Sequence, residues 1–364
     1  MRCAIRRNMP HILEHYIQQL PYASNLVRRR TSSSAFAAAQ AVLPQVIAAL
    51  PSNLACLAPE AWRIQRATWS EAGVLVAFIG AFHKPPVTVL RVPYTSTGYT
   101  SLQRHHTMLT AIDALVNLAD WRSVVPRICC SGDVAGKWYM LEQALPGHAL
   151  DAQRPAMATS GQLQYIAAAT IGELHRCTTR PRVVDGQLLD RWVDRPLKQL
   201  QHISHPLLHS QWYTSSLNRL AAELHKALAG RILNVSWIHG DFWLGNLLGD
   251  VRTAQLSGIV DWDMAAIDDL PLHDLLHLVL YTRRLTERRE LGDIIHSVLT
   301  DNSWTEDERK LIAPATLPPE AGGMRTMILL YWLRHVAGHL SQSSDHAHNW
   351  LWVRKNVVGV LRGI

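Results

Sequence analysis

The amino-acid sequence predicts an α+β protein of two lobes, in which a small sheet is followed by a larger helical region. Two observations predict the sheet lobe. Short runs rich in β-branched and aromatic residues, which favour strands, lie at 73–79, 87–92 and 138–141. Between the second and third runs, apolar residues recur at helical intervals over 101–119, which predicts one helix crossing the sheet.

The third observation is a change of pattern after the Pro146-Gly147 step. Apolar residues then follow a helical period in four segments, at 163–174, 217–228, 272–285 and 324–340. A proline fixes its own φ and a glycine permits conformations that other residues avoid, so this step is the predicted hinge.

Differences in residue pattern along the sequence predict that the chain has three parts. Residues 1–50 are rich in alanine and arginine, with Ile12, Tyr16 and Leu20 at helical spacing, and are predicted to form a helical extension. Residues 51–145 are the predicted N-lobe, and residues 146–364 are the predicted helical C-lobe.

Composition narrows the class of protein. The chain has 364 residues, of which 48% are hydrophobic and 18% are charged, as in an ordinary globular protein rather than a disordered or fibrous one. A net charge of +7 permits an anionic partner such as a nucleotide. The five cysteines are scattered, without the spacing of a disulfide framework, which favours a cytoplasmic location. The sequence contains no unbroken run of about 18 apolar residues, so no membrane-spanning helix is predicted.

The chemistry is concentrated in the segments 237–248 and 258–263. Asp241 lies in a loop between apolar runs, Asn246 follows it, and Asp261 ends a further apolar run. Phosphoryl transfer requires a carboxylate near the attacking hydroxyl and oxygen ligands that hold Mg²⁺ on the phosphates. The alternative is that Asp241 and Asp261 only cap turns and that Asn246 forms an Asx turn.

These segments resemble the aminoglycoside phosphotransferase and choline kinase superfamily. The family's catalytic loop matches His239-Gly240-Asp241 with Asn246, and its metal-binding segment matches Val260-Asp261-Trp262-Asp263. The resemblance implies a protein kinase-like fold with a small antiparallel sheet in the N-lobe, and ATP and Mg²⁺ as cofactors. It also implies that Asp241 is the catalytic base, that Asn246 and Asp261 bind the metal, and that His239 braces the loop.

The nucleotide site departs from the kinase pattern. Kinases place a lysine on the third strand and pair it with a glutamate of the crossing helix. Here Arg91 stands where the lysine would, and His105 aligns with the glutamate, so the usual ion pair is in doubt. By resemblance, adenine recognition is expected from the backbone of the connector at Glu142, Gln143 and Ala144.

Two other functions remain open at this stage. Arg91 and the missing glutamate motivate a nucleotide-binding pseudokinase with a regulatory or binding role. A protein kinase is disfavoured, because the Asp-Phe-Gly and Ala-Pro-Glu signals are absent and Trp262 stands where the phenylalanine would.

The favoured function is transfer of the γ-phosphate of ATP to a hydroxyl of a small molecule. The acceptor could be an aminoglycoside-like antibiotic, an amino alcohol or a sugar. A polycationic acceptor needs an acidic pocket, for which five residues of the C-lobe are candidates: Asp268, Asp269, Glu287, Glu290 and Asp293.

One histidine pattern suggests a metal site. His335 and His339 share a helical face, but Val336 stands where a zinc metalloprotease has its glutamate. These residues and His346 are therefore predicted to be structural. No nucleic-acid or membrane partner is expected, and no oligomeric state is predicted.

Overall fold

A computed structural model of the chain describes residues 32–51, 54, 59–118, 120–151, 157–203, 208, 210–342 and 344–364. Residues 1–31, and with them most of the predicted helical extension, lie outside the described residues.

The N-lobe contains a five-stranded antiparallel sheet with strand order β1-β2-β3-β5-β4. The small antiparallel sheet expected from the resemblance is confirmed, with two strands in addition to the three predicted runs. The strands are β1 (Arg63–Trp69), β2 (Val74–Gly80), β3 (Thr88–Pro93), β4 (Ile128–Val134) and β5 (Lys137–Gln143). In the pairing of β3 with β5, Val89 lies opposite Glu142 and Arg91 opposite Met140. Side chains alternate along a strand, so Val89, Arg91 and Glu142 lie on the same face of the sheet.

Two helices pack on this sheet. Helix α1 (Ser33–Ala48) begins at Ser32, whose hydroxyl accepts a hydrogen bond from the Ala35 amide. Its buried residues share one apolar core with β1, β2 and β3, so α1 is part of the N-lobe core although it precedes residue 50. Helix α2 (Ser96–Asp113) is the predicted crossing helix and is capped by Thr95.

The rest of the chain is mainly helical and forms the C-lobe. Its longer helices are α3 (Met157–Thr178), α6 (Gln211–Leu228), α7 (Leu272–Glu287), α8 (Leu291–Asp301) and α10 (Gly323–Gln342). The shorter ones are α4 (Gly186–Leu189), α5 (Arg195–Gln201), α9 (Glu306–Ile312), α11 (Ser344–His348), α12 (Trp350–Val353) and α13 (Gly359–Leu361). The two-lobed α+β architecture predicted from the sequence is therefore confirmed. None of the helices in the described ranges is both long and apolar enough to cross a bilayer.

Two small three-stranded sheets of the C-lobe position the site. One contains β6 (His148–Ala149), β9 (Leu247–Asp250) and β10 (Gln255–Ile259), and the other β7 (Arg180–Val183), β8 (Ile232–Ile238) and β11 (Ala266–Asp269). The loop that carries Asp241 joins β8 to β9, and Asp261 follows β10. The hairpin of β9 and β10 therefore fixes the separation of the two aspartates.

Candidate active site

The loop after β8 is held from below by one buried carboxylate. Asp274, in the first turn of α7, accepts hydrogen bonds from the backbone amides of His239 (2.8 Å) and Gly240 (2.8 Å). It also lies 3.0 Å from Nε2 of His175, and its side chain is fully buried. Asp274 and His175 thus support the loop from below.

Gly240 is required by the shape of the loop. Its φ is +80°, and a Cβ built there would lie 2.1 Å from the carbonyl oxygen of Met264. Glycine alone tolerates both the left-handed backbone and the close approach. The segment after Asp261 is therefore packed directly against the catalytic loop.

The Asp241 carboxylate is fixed by a donor on each oxygen. Nδ2 of Asn246 donates to Oδ2 of Asp241 (2.7 Å) and to its backbone carbonyl (2.8 Å). Nε2 of His277 lies 2.9 Å from Oδ1. An ionised carboxylate can only accept, so Nε2 carries the proton and Nδ1 of His277 accepts from the Tyr331 hydroxyl at 2.8 Å. The side chain of Asp241 nevertheless remains 35% exposed, so a substrate can reach it.

His239 braces the loop from the inside. Its Nε2 donates to the carbonyl oxygen of Val260 (3.0 Å), and its Nδ1 accepts from the amide of Asp241 (3.3 Å). Burial lowers the pKa of this imidazole, which keeps it neutral. It thereby links the Asp241 loop to the residue that precedes Asp261.

Asp261 and Asp263 face the cleft from the other side of the hairpin. Asp261 has a φ of +72°, an unusual conformation for a residue with a Cβ, and its side chain is 45% exposed. Asp263 accepts a hydrogen bond from Ser101 of α2 (2.6 Å). Burial and the charges of Asp261 and Asp241 raise the pKa of Asp263 to about 6. Negative charge is therefore concentrated where these carboxylates meet.

The ion pair that the sequence left in doubt is present in another form. Nε of Arg91 lies 2.8 Å from Oε1 of Glu142, and Nε2 of His105 lies 2.6 Å from Oε2. The carboxylate comes from strand β5 rather than from the crossing helix. Burial alone would raise the pKa of Glu142, but the charge of Arg91 and the hydrogen bonds from Arg91 and His105 outweigh it and lower this pKa to about 2.

The triad of Arg91, His105 and Glu142 also contacts the segment that begins at Asp261. Nη1 of Arg91 lies 3.3 Å from Oδ1 of Asp261, and Nδ1 of His105 accepts from the backbone amide of Trp262 at 3.0 Å. Arg91 is thus directed into the cleft and is not a solvent-facing edge residue. These two contacts connect the N-lobe to the C-lobe beside the carboxylates of Asp261 and Asp263.

The connector residues are more constrained than expected. The amides of Gln143 and Ala144 donate to the carbonyls of Arg127 (2.8 Å) and Val87 (3.1 Å). The Glu142 carbonyl accepts from the Thr88 hydroxyl (2.8 Å). Of the residues expected to bind adenine, Glu142 therefore supplies its side chain to the Arg91 triad, and two amides are already engaged in the sheet.

The sequence analysis missed a stripe of rings beside Asp241. Residues spaced by four on α7 (His273, His277 and Tyr281) face residues spaced by four on α10 (Tyr331, His335 and His339). The Tyr281 hydroxyl lies 3.2 Å from Nε2 of His335 and 3.3 Å from Nε2 of His339. The i, i+4, i+8 spacing on both helices is a signal that could have found this stripe.

The residues around Asp261 fit a divalent cation. Both hydrogen bonds of the Asn246 amide use its nitrogen, which makes its oxygen the atom available for a cation. Together with the carboxylates of Asp261 and Asp263 this gives the hard oxygen ligands that Mg²⁺ prefers. Burial, and after it the charges of Asp261 and Asp241, raise the pKa of Asp263, and a bound cation would offset these negative charges.

A comparison with models of protein families identifies one family. A model of the phosphotransferase enzyme family (APH) matches residues 86–310, more than half of the chain. No curated protein sequence matches the chain significantly.

Among solved structures, the chain is similar to the aminoglycoside phosphotransferase APH(3'')-Id of Streptomyces rimosus bound to ADP and streptomycin. The identity is 17%, the TM-score is 0.49, and the match covers 81% of this chain and 97% of that one. It is also similar to ADP-bound APH(2'')-Ib, at 13% identity and a TM-score of 0.49, over 86% of this chain and 98% of that one. A glucosamine kinase matches at 14% identity and a TM-score of 0.43, over 87% and 98% of the two chains.

Proposed function

Because the chain belongs to the phosphotransferase enzyme family, we propose that it transfers the γ-phosphate of ATP, with Mg²⁺, to a hydroxyl group of a small molecule. The observation that carries this proposal is the convergence of Asp241, Asn246 and Asp261. The side-chain amide of Asn246 donates a hydrogen bond to the Asp241 carboxylate. The backbone carbonyl of Asn246 accepts a hydrogen bond from the amide of Val260, the neighbour of Asp261, at 2.9 Å.

Asp241 is the proposed base. The oxygen of the acceptor hydroxyl attacks the γ-phosphorus, the bond from phosphorus to the ADP oxygen breaks, and the hydroxyl proton passes to Asp241. His277 and Asn246 hold the two carboxylate oxygens, so the base meets the hydroxyl in a fixed orientation. Bound Mg²⁺ would supply neutralisation of phosphate charge, held by Asn246 and Asp261.

Arg91 is the proposed phosphate contact on the donor side. Its guanidinium is held by Glu142 on one edge and lies near Asp261 on the other, so its position is set before the nucleotide arrives. The pseudokinase alternative was motivated by the missing glutamate. Glu142 supplies the carboxylate that pairs with the Arg91 guanidinium. This ion pair favours the catalytic function over the pseudokinase.

Adenine recognition by the connector remains part of the proposal, in a narrower form. Because the amides of Gln143 and Ala144 are engaged in the sheet, the base would be read by carbonyl groups of this connector or by an amide further along it. The proposed hinge at Pro146-Gly147 comes immediately after this connector in the chain. Gly147 has a φ of +97°, a conformation that glycine adopts readily.

The acceptor is proposed to be other than a strongly polycationic molecule. Most of the acidic candidates for a cationic pocket already have partners within the chain. Asp269 forms a bidentate pair with Arg334 at 2.7 Å and 2.7 Å, and Asp268 pairs with Arg180 and Arg182. Glu287 pairs with Arg283 and Arg289, and Asp293 lies 3.6 Å from Nζ of Lys355. Compensated carboxylates offer little net attraction to a polycation.

A panel of hydroxylated compounds tests the function. Amino alcohols, sugars, neutral antibiotics and aminoglycosides would each be incubated with ATP and Mg²⁺, and phosphorylated product would be detected by mass spectrometry. We expect one class other than aminoglycosides to be phosphorylated, and Asp241→Ala to lower its turnover by about 10²-fold or more, as loss of a positioned base does. If Asp241→Ala phosphorylated that acceptor at the wild-type rate, the assigned base would be wrong.

A further inference from the structure

The ring stripe ends in a cluster that the phosphotransfer site does not use. His339 lies near the end of α10, His346 lies in α11, and Glu71 is exposed at the tip of the turn between β1 and β2. One ligand atom from each of these three residues lies within 4.8 Å of the other two. Two imidazoles and one carboxylate from separate elements thus converge on a single point.

The hydrogen bonding of His339 leaves one nitrogen suited to a metal. Its Nε2 lies 3.3 Å from the Tyr281 hydroxyl, which can accept the proton of that nitrogen. Its Nδ1 is buried and has no hydrogen-bond partner among the described residues. A metal-binding histidine commonly donates its other ring N–H to a nearby oxygen, which orients the ring. Tyr281 provides that oxygen.

Aromatic packing holds the two imidazoles in place. The rings of His339 and His346 meet edge to face at 5.1 Å, and Trp352 packs 4.9 Å from His346.

From this geometry we propose that Glu71, His339 and His346 bind a zinc-class divalent cation that links the β1–β2 turn to the C-lobe. Two histidines and one glutamate form a ligand set that zinc accepts, with a fourth position open to water. Ligand atoms around a tetrahedral zinc lie about 3.4 Å apart, given Zn–N distances near 2.1 Å. The three atoms lie within 4.8 Å of one another, so binding needs side-chain shifts of about 1 Å, and Glu71 is exposed.

The site is distinct from the proposed Mg²⁺ site. Its ligands include two nitrogen atoms, whereas Mg²⁺ prefers oxygen ligands alone. His335, which shares a helical face with His339, is not one of the site's ligands, and its Nε2 lies 3.2 Å from the Tyr281 hydroxyl. The sequence pattern could not indicate Glu71, which lies more than 260 residues earlier in the chain.

Zinc binding to the untagged full-length chain tests the site. Isothermal titration with Zn²⁺ would be performed without nucleotide or acceptor and in a large excess of Mg²⁺, which occupies the oxygen-rich site. We expect the wild type to bind one zinc ion per chain. Glu71→Gln and His339→Phe should each lower the zinc affinity at least about 10-fold. Glu60→Gln, which alters another exposed glutamate of the N-lobe, should bind zinc as the wild type does.

A second readout protects against a folding artefact. A ligand that binds only the folded state raises the melting temperature, so zinc should stabilise the wild type and Glu60→Gln but not Glu71→Gln. Because Glu71 is exposed, its substitution should leave the melting temperature without zinc unchanged. Equal zinc affinity and equal zinc stabilisation in Glu71→Gln and the wild type would overturn the site. Neither measurement requires phosphotransfer, so failure of the proposed function would not affect them.

Discussion

Asp241, the proposed base, is positioned by a histidine that no motif indicates. His277 Nε2 donates to Oδ1 of Asp241, and the Tyr331 hydroxyl fixes the His277 ring from its other side. Asp241 and Asn246 could be predicted from the sequence, because they lie close together in one loop. His277 could not, because its role arises only when α7 and α10 pack against that loop.

Replacing His277 should lower kcat without unfolding the protein. A hydrogen bond to a charged group contributes about 1.5–3 kcal/mol, so we expect His277→Leu to lower kcat by about 10- to 100-fold, less than Asp241→Ala does. Tyr331→Phe, which removes only the hydrogen bond from the Tyr331 hydroxyl to His277, should lower kcat less. Steady-state kinetics with the identified acceptor would measure both, and an unchanged kcat in His277→Leu would exclude its positioning role.

Glu142 makes the stability depend on acidic pH. Its pKa in the folded protein is about 2, below its ordinary value of 4.5, so the unfolded chain binds this proton more readily. The stabilisation is therefore fully present above about pH 4.5 and is lost as the pH falls toward about 2. We expect Glu142→Gln to lower the free energy of unfolding at pH 7 by up to about 3–5 kcal/mol, because buried Arg91 then keeps only the more distant and half-exposed carboxylate of Asp261.

Urea denaturation at a series of pH values would measure this dependence. Below about pH 4.5 the free energy of unfolding should fall less steeply in Glu142→Gln than in the wild type. Glu173→Gln serves as the control, because Glu173 pairs with Arg176 at the surface and its substitution should matter little. Identical pH slopes in the wild type and Glu142→Gln would contradict the assigned ion pair.

At the scale of elements, the catalytic loop is shaped by the segment packed against it. Gly240 approaches Met264 so closely that a methyl group cannot fit. Because the conflict is with a backbone oxygen, the loop itself must move. The Asp274 carboxylate, which holds the amides of His239 and Gly240, would then lose its bonds.

Gly240→Ala should therefore impair both stability and activity. Strain at a left-handed position costs on the order of 1–3 kcal/mol, and displacement of Asp241 should lower kcat/KM as well. Gly161→Ala is the matched control, because Gly161 lies in α3 with no atom within 4 Å of a new Cβ. It should be neutral or stabilising by about 0.5–1 kcal/mol. Thermal unfolding and kinetics of the two variants would be compared, and similar behaviour of both would refute the steric argument.

The pairing of strands explains why the Arg91 partner was unexpected. Period-2 alternation along β3 puts Val89 and Arg91 on one face, but the kinase pattern predicts the partner of Arg91 on the crossing helix. The register that sets Val89 opposite Glu142 depends on how β5 pairs with β3, which the sequence of either strand alone does not specify. His105 is nevertheless in the cluster, since it lies on the buried face of α2.

For the whole molecule, the order of sheet lobe and helical lobe followed from local sequence texture. Hydrophobic periodicity and turn residues are local signals, so the strands and the long helices could be predicted. Contacts between the lobes could not, because they join residues far apart in the chain. Arg91 with Asp261, and Ser101 with Asp263, are examples.

These contacts connect the two halves of the proposed chemistry. Arg91, Ser101 and His105 of the N-lobe each contact the segment from Asp261 to Asp263. Nucleotide and metal should therefore be bound by the lobes together, whereas the proton is removed by Asp241 in the C-lobe. Binding and proton abstraction should be separable by mutation.

Magnesium-dependent ATP binding by wild type, Asp241→Asn and Asp261→Asn, measured by isothermal titration calorimetry, tests this division of roles most directly. We predict that Asp241→Asn binds ATP as the wild type does, while Asp261→Asn loses about 10-fold or more in affinity, and only when Mg²⁺ is present. Equal ATP affinity of Asp261→Asn and the wild type in Mg²⁺ would contradict the account.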